Sequence, residues 1–206
     1  MDDAIRQRMS RIYSAIGVTE EKDSKKLKAT VIENVGFKAH VQDFRGCLSD
    51  EELSNQIHLV IHNIANLADH LRRWAAKNGR DKQRVNQILE SSFELQVIQD
   101  LSDNDKHGYP PRDGGRSGKS PQLAEIDRVM CLQPQANNGS VIAMTIGAGG
   151  VPKFMGDVSA KAVVISRIVD YDNNYLCEFS DITAKAVEAW ETLLLEFGLI
   201  EGISGT

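Results

Sequence analysis

No stretch of this 206-residue chain approaches the ~18 consecutive apolar residues of a membrane-spanning helix, so no span is expected. Nor does one sign of charge dominate. The 24 Lys and Arg face 29 Asp and Glu, a formal net charge of −5, which disfavours a strongly basic nucleic-acid binder. Cysteine is scarce: Cys47, Cys131 and Cys177 are far apart, odd in number and form no Cys-x-x-Cys, which excludes a zinc ribbon or a thioredoxin-type site. The start, Met1-Asp2-Asp3, is acidic, and no apolar signal core follows it. A reduced, cytoplasmic protein with buried thiols is the expectation. Proline is rare and confined, because Pro110, Pro111, Pro121, Pro134 and Pro152 fall in one stretch, and nine of the sixteen glycines lie between Gly108 and Gly156. Proline breaks helices and glycine weakens them, so a helical first half and a helical end should flank a turn-rich, strand-rich middle.

What is there is an ordinary globular balance of 41% hydrophobic and 26% charged residues. Helical periodicity is strong. Ile5, Met9, Ile12, Tyr13 and Ile16 share one face of a helix over about 2–16. Residues 24–45 carry two patterns. Leu27, Val31 and Val35 fit a helix and Val35, Phe37, Ala39 and Val41 alternate like a strand; helix is preferred because Phe37, Val41 and Phe44 restore its period. The clearest element spans 50–78, opened by the capping box Ser49-x-x-Glu52 and stopped at Gly79. Its stripe is Leu53, Ile57, Val60, Ile64, Leu67, Leu71 and Trp74. An antiparallel partner helix is expected over 81–107, ending at Gly108. Strands are expected near 123–133, 140–147, 160–170 and 174–179, with a hairpin signal at Asp172-Asn173-Asn174. A last helix, capped by Ser180 or Asp181 and carrying Val187, Trp190, Leu194 and Phe197, should end at Gly198. The fold class is therefore α+β: a four- or five-helix bundle with a small antiparallel sheet inserted before the last helix. The organisation read is one domain, 1–206, with a helical region over 1–108, a β insertion over 122–179 and a closing helix over 180–198. Trp74 and Trp190 should both be buried in that bundle.

Three constellations invite chemistry. The segment Arg112-Asp113-Gly114-Gly115-Arg116-Ser117-Gly118-Lys119-Ser120 is reminiscent of a phosphate loop. Asp113 stands where the first glycine belongs, Pro110-Pro111 precede it where a strand is needed, and Pro121 blocks the helix that should follow. A nucleotide loop is rejected, and 109–121 is expected to be an exposed, mobile loop. Next, His58, His62, Asn66 and His70 recur every four residues beside the apolar seam, with Asp69 alongside. His58 and His62 with a carboxylate from the next helix are the one arrangement that would suit a metal. Leu59 replaces the Glu of a zincin, so metalloprotease chemistry is rejected, and the polar face is read as hydrogen-bonded or solvated. The third is the end of 81–107, where Asp100, Asp103 and His107 fall on one face at i, i+3 and i+7. Lys106 and His107 there meet the helix dipole that favours cations.

Asp100-Leu101-Ser102-Asp103-Asn104-Asp105-Lys106-His107 resembles a stretch of uncharacterised bacterial helical-bundle proteins, which in turn resemble the HEPN superfamily. The resemblance covers these eight residues and a similar order of elements, with Trp190 as the tryptophan of the final helix. It implies Asp100, Asp103, Lys106 and His107 as the marked positions, although Asp103 stands where Asn is commoner. HEPN ribonucleases carry Arg, four to six residues, then His; no Arg and His here have that spacing. The expected function is a cytoplasmic binding or interaction module, with Asp100, Asp103, Lys106, His107, His62, Asn66 and His70 as candidate ligand contacts. The alternative is a metal-independent RNase of a bacterial defence or toxin–antitoxin system, with His107 as general acid/base and Lys106 stabilising charge. No cofactor and no metal are expected, and no catalytic residue is assigned. The expected partner is another protein or a second copy of the chain, with RNA as the alternative.

Overall fold

A computed structural model describes residues 3–16, 19–23, 28–34, 37–43, 49–108, 113–134, 143–146, 152–155 and 158–200. The chain divides into two compact units, one of residues 1–18, 50–127 and 165–206, the other of residues 19–49 and 128–164.

The first unit is helical. α1 (Asp3–Ile16), α2 (Asp50–Lys77), α3 (Gln83–Ser91), α4 (Phe93–His107) and α5 (Phe179–Glu196) are its helices. The central helix is α2, whose 28 residues extend about 42 Å. It buries the expected stripe from Leu53 to Leu71 and, beside it, Ile61, Ala65, Ala68 and Ala75. A helix apolar over that much of its circumference must be covered from several sides. α1 covers it with Ile5, Met9 and Ile12, and α4 with Leu95, Ile98 and Leu101 among its buried residues. α5 closes the core with Trp190, which is 0% exposed and donates its indole N–H to the Ile64 carbonyl of α2 at 3.2 Å. Trp74, expected to be buried, is only half-buried, its ring stacked on Phe197 at 5.6 Å between centroids.

Three expectations about helices are corrected. The segment 81–107 is two helices. Ser92 leaves helical geometry at φ −101° and ψ 112°, closes α3 through its N–H to Ile88, and accepts from Leu95 N at 3.2 Å to open α4. A serine hydroxyl competes with the helical ladder, and here it caps instead. α5 begins at Phe179, with Glu178 before it and no side-chain cap, because strand β8 (Tyr175–Glu178) runs directly into it. The described residues of the 24–45 segment, 28–34 and 37–43, are not helical; its other residues lie outside the described ones. Those two stretches form β2 (Lys28–Asn34) and β3 (Phe37–Asp43), paired antiparallel from Lys28 opposite Asp43 to Asn34 opposite Phe37. The alternating pattern and the β-branched run Thr30-Val31-Ile32 prevail over the weaker helical period.

β1 (Thr19–Asp23), β4 (Gln122–Pro134) and β7 (Val158–Val169) form a sheet in the order β1-β7-β4, with β8 also paired to β7. β5 (Ala143–Ile146) and β6 (Pro152–Met155) make a separate antiparallel pair. Among the described residues the fold is thus α+β, five helices with a small antiparallel sheet before the last helix, as expected; β1, β2, β3 and β6 are strands beyond those anticipated. The β7–β8 hairpin turns at the anticipated residues: Asp170 Oδ1 accepts from the N–H groups of Asp172 at 2.9 Å and Asn174 at 2.8 Å.

Among the described residues no helix is long and apolar enough to cross a membrane. Cys177 carries a free, half-buried thiol; Cys47 lies outside the described residues.

Candidate functional site

α4 presents the marked stretch on several faces at once. Its last turn ends at Gly108, which adopts φ 72°, a left-handed conformation that glycine reaches without a Cβ penalty. Asp100 faces inward and is 1% exposed. A buried carboxylate needs donors, and the 113–120 segment supplies them. Oδ1 accepts from Arg116 N at 2.8 Å; Oδ2 accepts from Ser117 N at 2.8 Å and from Ser117 Oγ at 2.6 Å. Gly115 makes this approach possible: at φ 69°, a Cβ added there would lie 2.5 Å from Asp100 Oδ1. The turn is closed by Ser120 N donating to Gly114 O at 2.9 Å, and Ser120 and Pro121 are buried.

The segment that looked like a phosphate loop is therefore a nest of N–H groups whose anion is the chain's own Asp100. The expectation of a mobile 109–121 loop is corrected for 113–121, which is a compact turn anchored to α4; Tyr109, Pro110, Pro111 and Arg112 lie outside the described residues. Packing a charged group against backbone donors overrides the glycine-rich composition.

A second polar cluster joins α2 to α4. His62 Nε2 lies 2.6 Å from Asp105 Oδ2, and His62 Nδ1 lies 2.9 Å from Ser102 Oγ. In a neutral ring, a proton on Nε2 donates to the carboxylate and leaves Nδ1 to accept from the hydroxyl. His58 Nδ1 comes within 3.2 Å of Asp105 Oδ1, but it is buried and misaligned, so the approach makes no hydrogen bond. Ser, His and Asp thus meet as a nucleophile triad would require. Ser102, however, is 0% exposed, so no substrate reaches its Oγ. Both His62 nitrogens are engaged, and among the described residues no group of three or more His, Cys, Asp or Glu is arranged to hold a metal.

The remaining candidates do not join either cluster. Asp103 and Lys106 form a surface pair at 3.7 Å, and His107 is exposed. Asn66 is exposed, whereas the neighbouring carbonyl of Ala65 accepts from Gln99 Nε2 at 2.8 Å. His70, two turns beyond His62, lies towards α1. Burial first, then the charges of Arg8 and Arg73, hold its pKa below the ordinary imidazole value, with Asp69 opposing. The structure brings His58 and His62 together with Asp105, and Asp100 with the loop, but it separates His70 from both. Ser102 and Asp105 were not among the sequence candidates. Their spacing, i and i+3 opposite a His pair at i and i+4, becomes meaningful only once α2 and α4 are known to pack.

No known protein family, curated protein or solved structure matches the chain.

Proposed function

We propose that the chain is a cytoplasmic interaction module of HEPN-like helical plan rather than a ribonuclease. The observation that carries this reading is how the polar groups of the marked stretch are spent. Asp100 is sealed against Arg116 and Ser117, Asp103 is paired with Lys106, and Asp105 and Ser102 hold both nitrogens of His62. RNA cleavage needs an imidazole and a cation converging on one phosphate. Lys106 instead leans on a carboxylate at the helix end, and Asp103 and Asp105 beside it oppose a polyanion there. By the resemblance, the setting is a bacterial defence or toxin–antitoxin system.

Labelled single-stranded RNA incubated in EDTA with folded wild type and with His107→Ala tests this. Neither protein is expected to cleave. Metal-independent cleavage by wild type that disappears in His107→Ala would overturn the module reading and establish the ribonuclease alternative, with His107 as acid/base and Lys106 as its cation.

A further inference from the structure

An open cavity of about 310 Å³ lies where the start of α4 meets β8 and the first turn of α5. Its wall carries Phe93, Glu94, Tyr175, Cys177, Asp181 and Lys185. Two of these are aromatic rings left in water: Phe93 is 42% exposed and Tyr175 is 59% exposed. Each stands at the first residue of its element, Phe93 of α4 and Tyr175 of β8. Exposed rings grouped on one concave surface mark a contact site more often than rings scattered singly. Glu94 and Asp181 flank the rings from two different helices, each in a first turn, where the dipole favours negative charge. Glu178, beside them, keeps one carboxylate oxygen buried without a hydrogen bond, its other oxygen 3.8 Å from Arg167. The Cys177 thiol registers this environment. It is pushed up to about 11, by burial first and then by Asp181, Glu178 and Glu94, against the opposing charge of Lys185. β8 borders the cavity as a four-residue strand paired with β7, its only partner among the described strands. Addition alongside a sheet edge is one way in which an extended peptide is held.

We infer that this cavity docks an arginine side chain presented by an extended segment of a partner protein. A guanidinium is flat and weakly hydrated, stacks on aromatic faces, and directs its N–H fork to carboxylates. Phe93 and Tyr175 offer the faces, and Glu94 and Asp181 offer the acceptors. Among the described residues of the wall, Lys185 is the one cation, and it competes with the incoming group for the same carboxylates. The inference rests on the interaction-module reading and names its partner's chemistry.

The test is an NMR titration of the ¹⁵N-labelled full chain with a capped pentapeptide holding one central arginine between glycines and serines. The same peptide with norleucine in place of arginine is the control. The arginine peptide is expected to shift the amides of Tyr175, Leu176, Cys177 and Asp181. It should bind about tenfold more tightly than the norleucine peptide. Phe93→Ala and Tyr175→Ala should each weaken binding about threefold, as an exposed cation–π contact does. Glu94→Gln with Asp181→Asn should weaken it about tenfold, and Lys185→Ala should leave it equal or tighter. Phe93 and Tyr175 are exposed, so their truncation should leave the melting curve in place, and either variant alone suffices. Equal binding of both peptides, shifts that map elsewhere, indifference to the variants, or no shift at all would overturn the assignment. Spermidine binding as tightly at the same residues would also overturn it, giving the cavity to a small polycation. RNA cleavage in EDTA would sink the module reading itself, whereas peptide failure with inert RNA removes only this docking site.

Discussion

Truncating Asp100 to alanine removes a buried acceptor while leaving its donors behind. The Arg116 and Ser117 N–H groups and the Ser117 hydroxyl lose bonds of 2.8, 2.8 and 2.6 Å. Hydrogen bonds to a charged group are worth about 1.5–3 kcal/mol each, and a buried donor left unpaired costs about 1–3 kcal/mol. Arg116 is exposed and Ser117 half-buried, so water can reach some of the vacated site and the lower ends apply. Asp100→Ala should therefore cost about 3–5 kcal/mol. At about 2–4 °C per kcal/mol for a chain of this length, the melting midpoint should fall by about 6–20 °C. Asp100→Asn, which keeps one acceptor oxygen, should cost roughly half as much. Gly115→Ala should cost about 2–4 kcal/mol, because it combines a left-handed backbone with a Cβ driven against the carboxylate. That Cβ clash disappears when Asp100 is already alanine, so the double variant should cost less than the sum by about 1 kcal/mol or more. Urea unfolding gives the free energies, and amide hydrogen exchange at Arg116 and Ser117 locates them, since two compact units need not unfold in one step. A cost below about 1 kcal/mol for Asp100→Ala, with exchange at those two amides unchanged, would refute the reasoning.

Trp190→Ala should cost about 3–5 kcal/mol by urea unfolding, because it empties the core and leaves the Ile64 carbonyl without its indole donor; a loss under about 2 kcal/mol would contradict the burial. Tyr13 donates to Glu191, and burial first, then that bond and the carboxylate's charge, push the phenol up to about 12. Its folded pKa lies above the unfolded value of 10.0, so the stabilisation is complete below pH 10.0 and is lost as pH rises towards about 12. Ultraviolet titration should show one tyrosine ionising late, and Tyr13→Phe should abolish that phase. His70 has the opposite sign for a base: its folded pKa lies below 6.5, so the unfolded chain takes up the proton first and stability falls as pH drops through 6.5. His70→Gln should flatten that region of the stability profile, and an unchanged profile would contradict it.

Much of the helical plan was legible because burial on one side of a helix imposes a period that survives in a single sequence. α1 and α2 span the residues their stripes predicted, with Tyr13 and Ile16 of the α1 stripe exposed rather than buried, and Ser49 and Gly79 bound α2 as expected. The Asp172-Asn173-Asn174 hairpin was legible for a similar reason: Asn173 takes φ 63°, which asparagine tolerates, and the turn needs only neighbours in sequence. The break at Ser92 was not. The apolar pattern runs on through it, and a serine caps only when the flanking helices pack at an angle that permits it. Over 28–43, two periods coexisted, and the pairing of β2 with β3 decided between them.

The candidate site divides along the same line. Its residue types and their order along α4 were determined by the sequence: Asp100, Ser102, Asp103, Asp105, Lys106 and His107 follow one another over two turns, and helical geometry alone spreads them round the axis. Which neighbour each one meets was decided by the tertiary structure. Asp100 finds Arg116 and Ser117 because a turn sixteen residues later folds back onto it, and Asp105 finds His62 across forty-three residues because α2 and α4 share an apolar seam. Hydrogen bonds and charge pairs act over a few ångströms, and sequence specifies those distances only for residues within a turn of one another. Beyond that, the hydrophobic contacts that set helix against helix choose the partners, and so convert a loop that looked built for phosphate into the counterpart of a buried aspartate.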